Sequence, residues 1–234
     1  MQLDQTTMVP ATLVRRYKRF LCDHQLESGE VITASCPNTG TMLGLTTPGS
    51  ATWLVHAPAP TRKYDYRWEL IEDQGHWVGI NTGRPNGLVE EAIRAGVISE
   101  LSGYANLRRE VKYGTNSRID LLLEDPRRPQ VFVEVKNCHL RREAGLAEFP
   151  DSVTTRGAKH LGELADQVAL GHRAVMVFCV QRSDCDHFDV AGDIDPAYAD
   201  AFRRARAAGV EALAYVCHVS AHDITLTHAI PIKD

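Results

Sequence analysis

The sequence predicts an α/β protein, α+β overall, in two parts: a small β-barrel over residues 1–81 and a mixed-sheet α/β domain over residues 82–234. Two observations predict this division. Before residue 82, short β-like runs recur about every ten residues with Gly, Pro and Asn between them, and helical periodicity is nearly absent. After residue 82, helical and strand periods alternate, as they do when helices cover the faces of a sheet.

In the first part the runs are ATLVRRYKRFLCDHQL, then the polar ESGE turn, EVITASC, PNTG, ATWLVHA, YDYRWELIE and HWVGIN. The second part opens with LVEEAIRAGVI, a short amphipathic helix, followed by three strands, RREVKYG, SRIDLLLE and QVFVEVKN. TTRGAKHLGELADQVAL predicts a helix with Thr154 or Thr155 as N-cap and Gly171 past its end. RAVMVFCV is continuously apolar, as a strand covered on both faces should be. Asp195-Pro196 is an N-cap and first-turn pair, Gly209 closes that helix, and VEALAYVCHV returns as a strand. The second part therefore reads α-β-β-β-α-β-α-β.

Composition narrows the function. The 234 residues are 44% hydrophobic and 24% charged, which is ordinary for a folded protein with a real core. A net charge of −4 gives no global basic field, so a polyanion must be met by a local patch. No 18-residue apolar run and no basic-then-apolar leader occurs, and the six cysteines form no CxxC pair. A cytoplasmic protein with reduced thiols and no membrane contact is the expectation.

The chemistry is concentrated in SRIDLLLEDPRRPQVFVEVKN, residues 117–137. Asp120, Glu134 and Lys136 stand there among Ile119, Leu121, Leu123, Val131, Val133 and Val135, residues of buried strands. If the DPRRP turn is centred on Arg127, Asp120 and Glu134 are equidistant from it and face each other, with Lys136 on the same side. A one-residue slip would separate the carboxylates. Opposed carboxylates destabilise a sheet unless one is neutralised or a cation lies between them. Lys136 could be that cation, and a divalent ion would serve better. Hard oxygen ligands favour Mg²⁺ or Mn²⁺ over zinc. A surface ion pair, a structural cluster and a metal site all remain open on pattern alone.

RRYKRF, CPNTGTMLGLTTPG, RKYDYRWELIE, SELSGYANLRREVKYG, SRIDLLLE, VEVKN, FPDSVTTRGAKHLGEL and GVEALAY together resemble the sugar fermentation stimulation protein (SfsA) family, in order and over nearly the whole chain. The resemblance implies an N-terminal OB-like barrel and a C-terminal restriction-endonuclease-like domain of the PD-(D/E)xK type. That nuclease pattern has an acid on the first helix, an Asp on the second strand and E-x-K on the third. Carried over, these are Glu91, Asp120, and Glu134 with Lys136. Glu90 and Glu91 both flank the apolar face of the helix, and N-x-L-x-x-E from Asn86 favours Glu91. Ile119 stands where the pattern has its proline. The resemblance also implies DNA binding without sequence preference and regulation of maltose and other sugar-metabolism genes. Nuclease activity follows only from fold and motif, and fold alone does not license function. A non-catalytic DNA-binding regulator with a degenerate nuclease fold is the alternative, and an enzyme acting on another phosphate ester is a third.

Arg15, Arg16, Lys18 and Arg19 surround Tyr17 and Phe20, while Arg62, Lys63 and Arg67 accompany Tyr64, Tyr66 and Trp68. Cations interleaved with aromatics suit phosphate contact plus base stacking. The opposing reading makes the aromatics barrel core and the charges its solvated face. Arg156, Lys159 and His160 begin the helix after the E-x-K strand and could reach a scissile phosphate. On a net acidic chain, DNA binding by one copy would be weak, which a homodimer would offset.

Overall fold

A computed structural model describes residues 1–114 and 117–233. In the first part, strands β1 (Met8–Tyr17), β2 (Leu21–Leu26), β3 (Val31–Ser35), β4 (Ala51–His56) and β5 (Tyr66–Asp73) run in the order β3-β2-β1-β4-β5. A parallel contact between β3 and β5, Ala34 with Tyr66 and Ser35 with Arg67, closes the five strands into a barrel. Strand β6 (His76–Gly79) folds back on β5. Leu13, Cys22, Ala34, Leu54, Trp68 and Ile71 fill the interior. Alternation along β1 turns Ala11 and Leu13 inward together, because one face in two points into the barrel.

One long run predicted in the barrel is folded in half. Residues 11–26 form β1 and β2 joined at Lys18 and Arg19, which adopt the left-handed region with φ of 51° and 64°. No Gly, Asn or Asp marks this turn, so its chemistry gave no signal.

The second part contains α1 (Pro85–Arg94), β7 (Asn106–Tyr113), β8 (Ser117–Asp125), β9 (Arg128–Cys138), β10 (Gly145–Phe149), α2 (Thr155–Ala169), β11 (Arg173–Val180), β12 (Cys185–Val190), α3 (Pro196–Ala207), β13 (Glu211–Val219) and β14 (Ile224–Ile230). The main sheet runs β14-β13-β11-β9-β8-β7, with β9, β11 and β13 parallel and the outer pairs antiparallel. Helix α1 packs Leu88, Val89 and Ile93 on one face, against Leu121, Val133 and Val177. Helices α2 and α3 cover the other, where Leu161, Leu164 and Phe202 meet Leu122, Phe132 and Phe178. Thr154 caps α2 by accepting from the Gly157 N–H, and Asp195 caps α3 by accepting from that of Tyr198.

Three strands exceed the predicted series. Strands β10 and β12 form a two-stranded parallel pair whose short, charge-interrupted segments lack a clean period, and β14 adds an antiparallel edge to β13. The first residues also cross over to the second part. The Met1 ammonium donates to the Ile224 carbonyl, and Leu3 is buried in the core beside α1. The six cysteines are buried free thiols, and no helix among the described residues is long and apolar enough to cross a membrane.

Candidate functional site

The hairpin register is the one that brings the acids together. Leu121 pairs with Val133, Leu122 with Phe132 and Leu123 with Val131, so the next step along both strands sets Asp120 across from Glu134. The turn itself is tighter than expected. It closes with Asp125 against Arg128, and an irregularity between Leu123 and Asp125 restores the register. Beyond Leu121 the ladder yields to a side chain: Asp120 Oδ2 accepts the Val135 N–H at 2.8 Å.

Asp120, Glu134 and Lys136 line one cavity of about 340 Å³, together with Thr82, Asn86, Glu110, Arg118, Arg156 and His160. Asn86, on the first turn of α1, donates Nδ2–H to Asp120 Oδ1 at 2.9 Å. Glu134 is 3% exposed. Lys136 Nζ lies 2.6 Å from its Oε1, and His160 Nδ1 lies 2.5 Å from the same oxygen. The other oxygen, Oε2, is buried with no hydrogen-bond partner.

Burial, and after it the charge of Glu134, raises the Asp120 carboxyl above the ordinary aspartate value, against the pull of the Val135 N–H, Asn86 and Lys136. Burial pushes Glu134 the same way, but the His160 hydrogen bond and the Lys136 charge together carry it below the ordinary glutamate value. The two acids of the site are thus driven apart in proton affinity. Such an arrangement keeps the Glu134 carboxylate charged inside the protein, with the Lys136 ammonium as the cation beside it.

Glu91 does not join this group. Its side chain is 56% exposed and pairs with the Met1 ammonium at 2.8 Å. Glu90 is held by Arg94 at 2.8 Å and by Arg109. The N-x-L-x-x-E stretch therefore reaches the site through its Asn, because Asn86 begins the helix at the hairpin while the acids lie a turn or more beyond. Sequence reasoning also passed over Glu110 and Arg118. Strand alternation offered a signal for Arg118, which lies two residues before Asp120. Among the described residues no three His, Cys, Asp or Glu side chains are grouped to hold a metal.

The cations proposed for nucleic acid take different positions. Arg15, Arg16, Lys18 and Arg19 surround a basic hollow on the barrel with Tyr17, Thr46 and Pro48. Arg15 pairs with Asp23 at 2.8 Å and lies over the Tyr17 ring. Arg16 is turned inward: its guanidinium donates to the carbonyls of Arg19, Asn38, Gly40 and Thr41 at 2.7–3.1 Å. Arg62 donates to the Ala57 carbonyl, Lys63 lies over Tyr64, and Arg67 sits 3.8 Å from the buried Glu69. Trp68 belongs to the barrel core, so it cannot stack on a base. Arg156 opens onto the Asp120 cavity, whereas Lys159 reaches Glu163 at 3.3 Å and Ser117 at 3.5 Å.

Two segments match the same family: residues 14–80 match the SfsA N-terminal OB domain and residues 83–223 the sugar fermentation stimulation protein RE domain. The chain is 57% identical over 229 residues to the sugar fermentation stimulation protein homolog of Brucella ovis, covering 98% of this chain and 96% of that one. The homolog of Brucella melitensis biotype 1 is equally similar, at 57% over 229 residues, with 98% and 96% covered. Among solved structures, SfsA of Pyrococcus furiosus, described in complex with Ca²⁺, superposes with a TM-score of 0.88 at 28% identity, covering 100% of this chain and 98% of that chain.

Proposed function

The chain belongs to the sugar fermentation stimulation protein family, and we propose that it binds DNA without sequence preference and carries, in its α/β part, a Mg²⁺- or Mn²⁺-dependent phosphodiesterase site. The observation behind this reading is the orphaned Oε2 of Glu134, a buried carboxylate oxygen without a partner, with the half-buried Asp120 across the hairpin from it. A buried polar atom left unpaired is costly, and a hard cation would satisfy it. Asp120 and Glu134 would hold the ion through carboxylate oxygens. The Ca²⁺ in the Pyrococcus furiosus relative supports a hard divalent cation in this family. Once bound, such an ion would polarise a phosphodiester and make a nearby water more acidic.

The chain's own groups do the rest. Lys136, held beside Glu134, offsets negative charge developing on the phosphoryl oxygens. Arg156 and Arg118 line the same cavity and would orient the backbone of a strand entering it. Lys18 and Arg19, exposed at the β1–β2 turn, would add phosphate contacts on the barrel, with Arg15 beside them. Regulation of sugar metabolism genes would act through this binding.

A second reading is a DNA-binding regulator without turnover. Lys136 at 2.6 Å already supplies Glu134 with a cation, and Glu91 adds no third acid. Incubation of linear, supercoiled and single-stranded DNA with the purified protein in Mg²⁺ and in Mn²⁺ separates the two. Cutting that requires metal and disappears in Asp120→Asn and Lys136→Ala supports the phosphodiesterase. DNA retarded but intact with every protein leaves the regulator.

A further inference from the structure

Glu134 is gripped from the helix side as well as from its own strand. His160, 5% exposed on α2, sets Nδ1 2.5 Å from Glu134 Oε1. Its other nitrogen, Nε2, lies 3.2 Å from Nε of Arg156. Residues four apart on a helix share a face, and the Thr154 cap fixes where that helix begins. A guanidinium N–H can only donate, so His160 Nε2 is the acceptor. The ring's one proton then resides on Nδ1, directed at Glu134. Arg156 thus selects the tautomer that can serve the carboxylate; the other would set a lone pair against a carboxylate oxygen.

Two donors, the His160 ring and Lys136, converge on Oε1. Glu134 Oε2 is left buried without a partner. Arg156 does not need this arrangement for packing. Arg156 is exposed, and its partner among the described residues is His160.

We infer that Arg156 and His160 are positioning residues, a relay from α2 that orients the Glu134 carboxylate so that Oε2 is the oxygen presented to a divalent cation. The inference rests on the metal site proposed above. It assigns His160 no contact with the substrate or the ion. Groups that orient a metal ligand in this way change metal affinity about 10- to 100-fold when removed.

Long-range ¹H–¹⁵N spectra of the metal-free protein read the tautomer directly. The expected result is a neutral His160 protonated at Nδ1 in the parent and a shift toward the Nε2-protonated ring in Arg156→Gln. Calorimetric titration with Mn²⁺ reads the consequence. His160→Leu should weaken binding at least about 10-fold, and Arg156→Gln should weaken it in the same direction. His160→Asn, whose amide nitrogen can replace Nδ1 as donor, should recover most of the loss, which a merely structural role would not predict. A parent ring protonated at Nε2 overturns the relay, and so does a His160→Leu protein that binds Mn²⁺ as tightly as the parent. Because Arg156 is exposed, Arg156→Gln tests the relay even if His160→Leu fails to fold: unchanged tautomer and unchanged affinity overturn it. A parent that takes up no Mn²⁺ overturns the metal reading itself, and the relay with it.

Discussion

Lys136 and Glu134, two residues apart on β9, form an ion pair at 2.6 Å with side chains only 15% and 4% exposed. An ammonium so withdrawn from water acts on nearby charge with little screening. Lys136→Ala should therefore reduce metal-dependent DNA cleavage at least about 100-fold, the scale on which removal of one charge-stabilising donor acts. Retention of DNA on a gel should be nearly unchanged, because the barrel cations remain. Equal cleavage rates for parent and variant would remove Lys136 from the reaction.

Asn86 and Glu91 stand on the same helix and should behave oppositely. Asn86→Ala deletes the Nδ2 donor that holds Asp120 Oδ1 and should raise the half-saturating Mn²⁺ concentration about 10-fold. Glu91→Ala breaks an exposed pair with the Met1 ammonium and should leave that concentration within about twofold. A metal titration of cleavage distinguishes them, and a large effect at Glu91 would restore it to the site.

That contrast marks how far the sequence could be read. Asp120, Glu134 and Lys136 were legible because a strand has a strict period of two, so one assumption about the turn fixed the shared face. The assumption survived although the turn closes at Asp125 and Arg128, since the irregularity after Leu123 compensated for it. The helical acid was not legible. Spacing shows which side of α1 is apolar, but not which of its polar residues lies over the hairpin, and residue 1 pairing with residue 91 is invisible to any local pattern. His160 was visible as a polar residue early in a helix, yet its depth depends on how α2 lies on the sheet. Arg16 misled for a related reason. A run of cations looks alike on paper whether its members face water or backbone carbonyls.

Arg16 should consequently separate from its neighbours. Its guanidinium ties together the carbonyls of residues 19, 38, 40 and 41, so Arg16→Ala should lower the free energy of unfolding in urea by about 1–3 kcal/mol. Lys18→Ala and Arg19→Ala, on exposed side chains, should leave stability within about 0.5 kcal/mol. Each should instead reduce the salt dependence of DNA binding by about one counterion. Stability loss at Lys18 equal to that at Arg16, or an unaltered salt slope in both exposed variants, would contradict this division.

Acid sensitivity should trace in part to the barrel. His24 is fully buried, with its ring edge-on to Trp68 and Nδ1 3.0 Å from the Thr52 hydroxyl. Thr52 gives its own proton to the Ala11 carbonyl, so it accepts from His24 Nδ1, and Nε2 is buried without a partner. Burial accordingly lowers the His24 pKa from 6.5 to about 4. Above pH 6.5 neither folded nor unfolded chain carries this proton, and the stabilisation is complete. As pH falls from 6.5 towards 4, the unfolded chain takes up the proton while the folded one resists it, so stability declines; below about 4 both are charged and the loss levels off. The decline attributable to this group is about 3 kcal/mol. Urea unfolding at pH 7, 5.5 and 4.5 should show His24→Gln losing correspondingly less stability than the parent. Identical pH slopes for the two proteins would mean that His24 is not the group responsible.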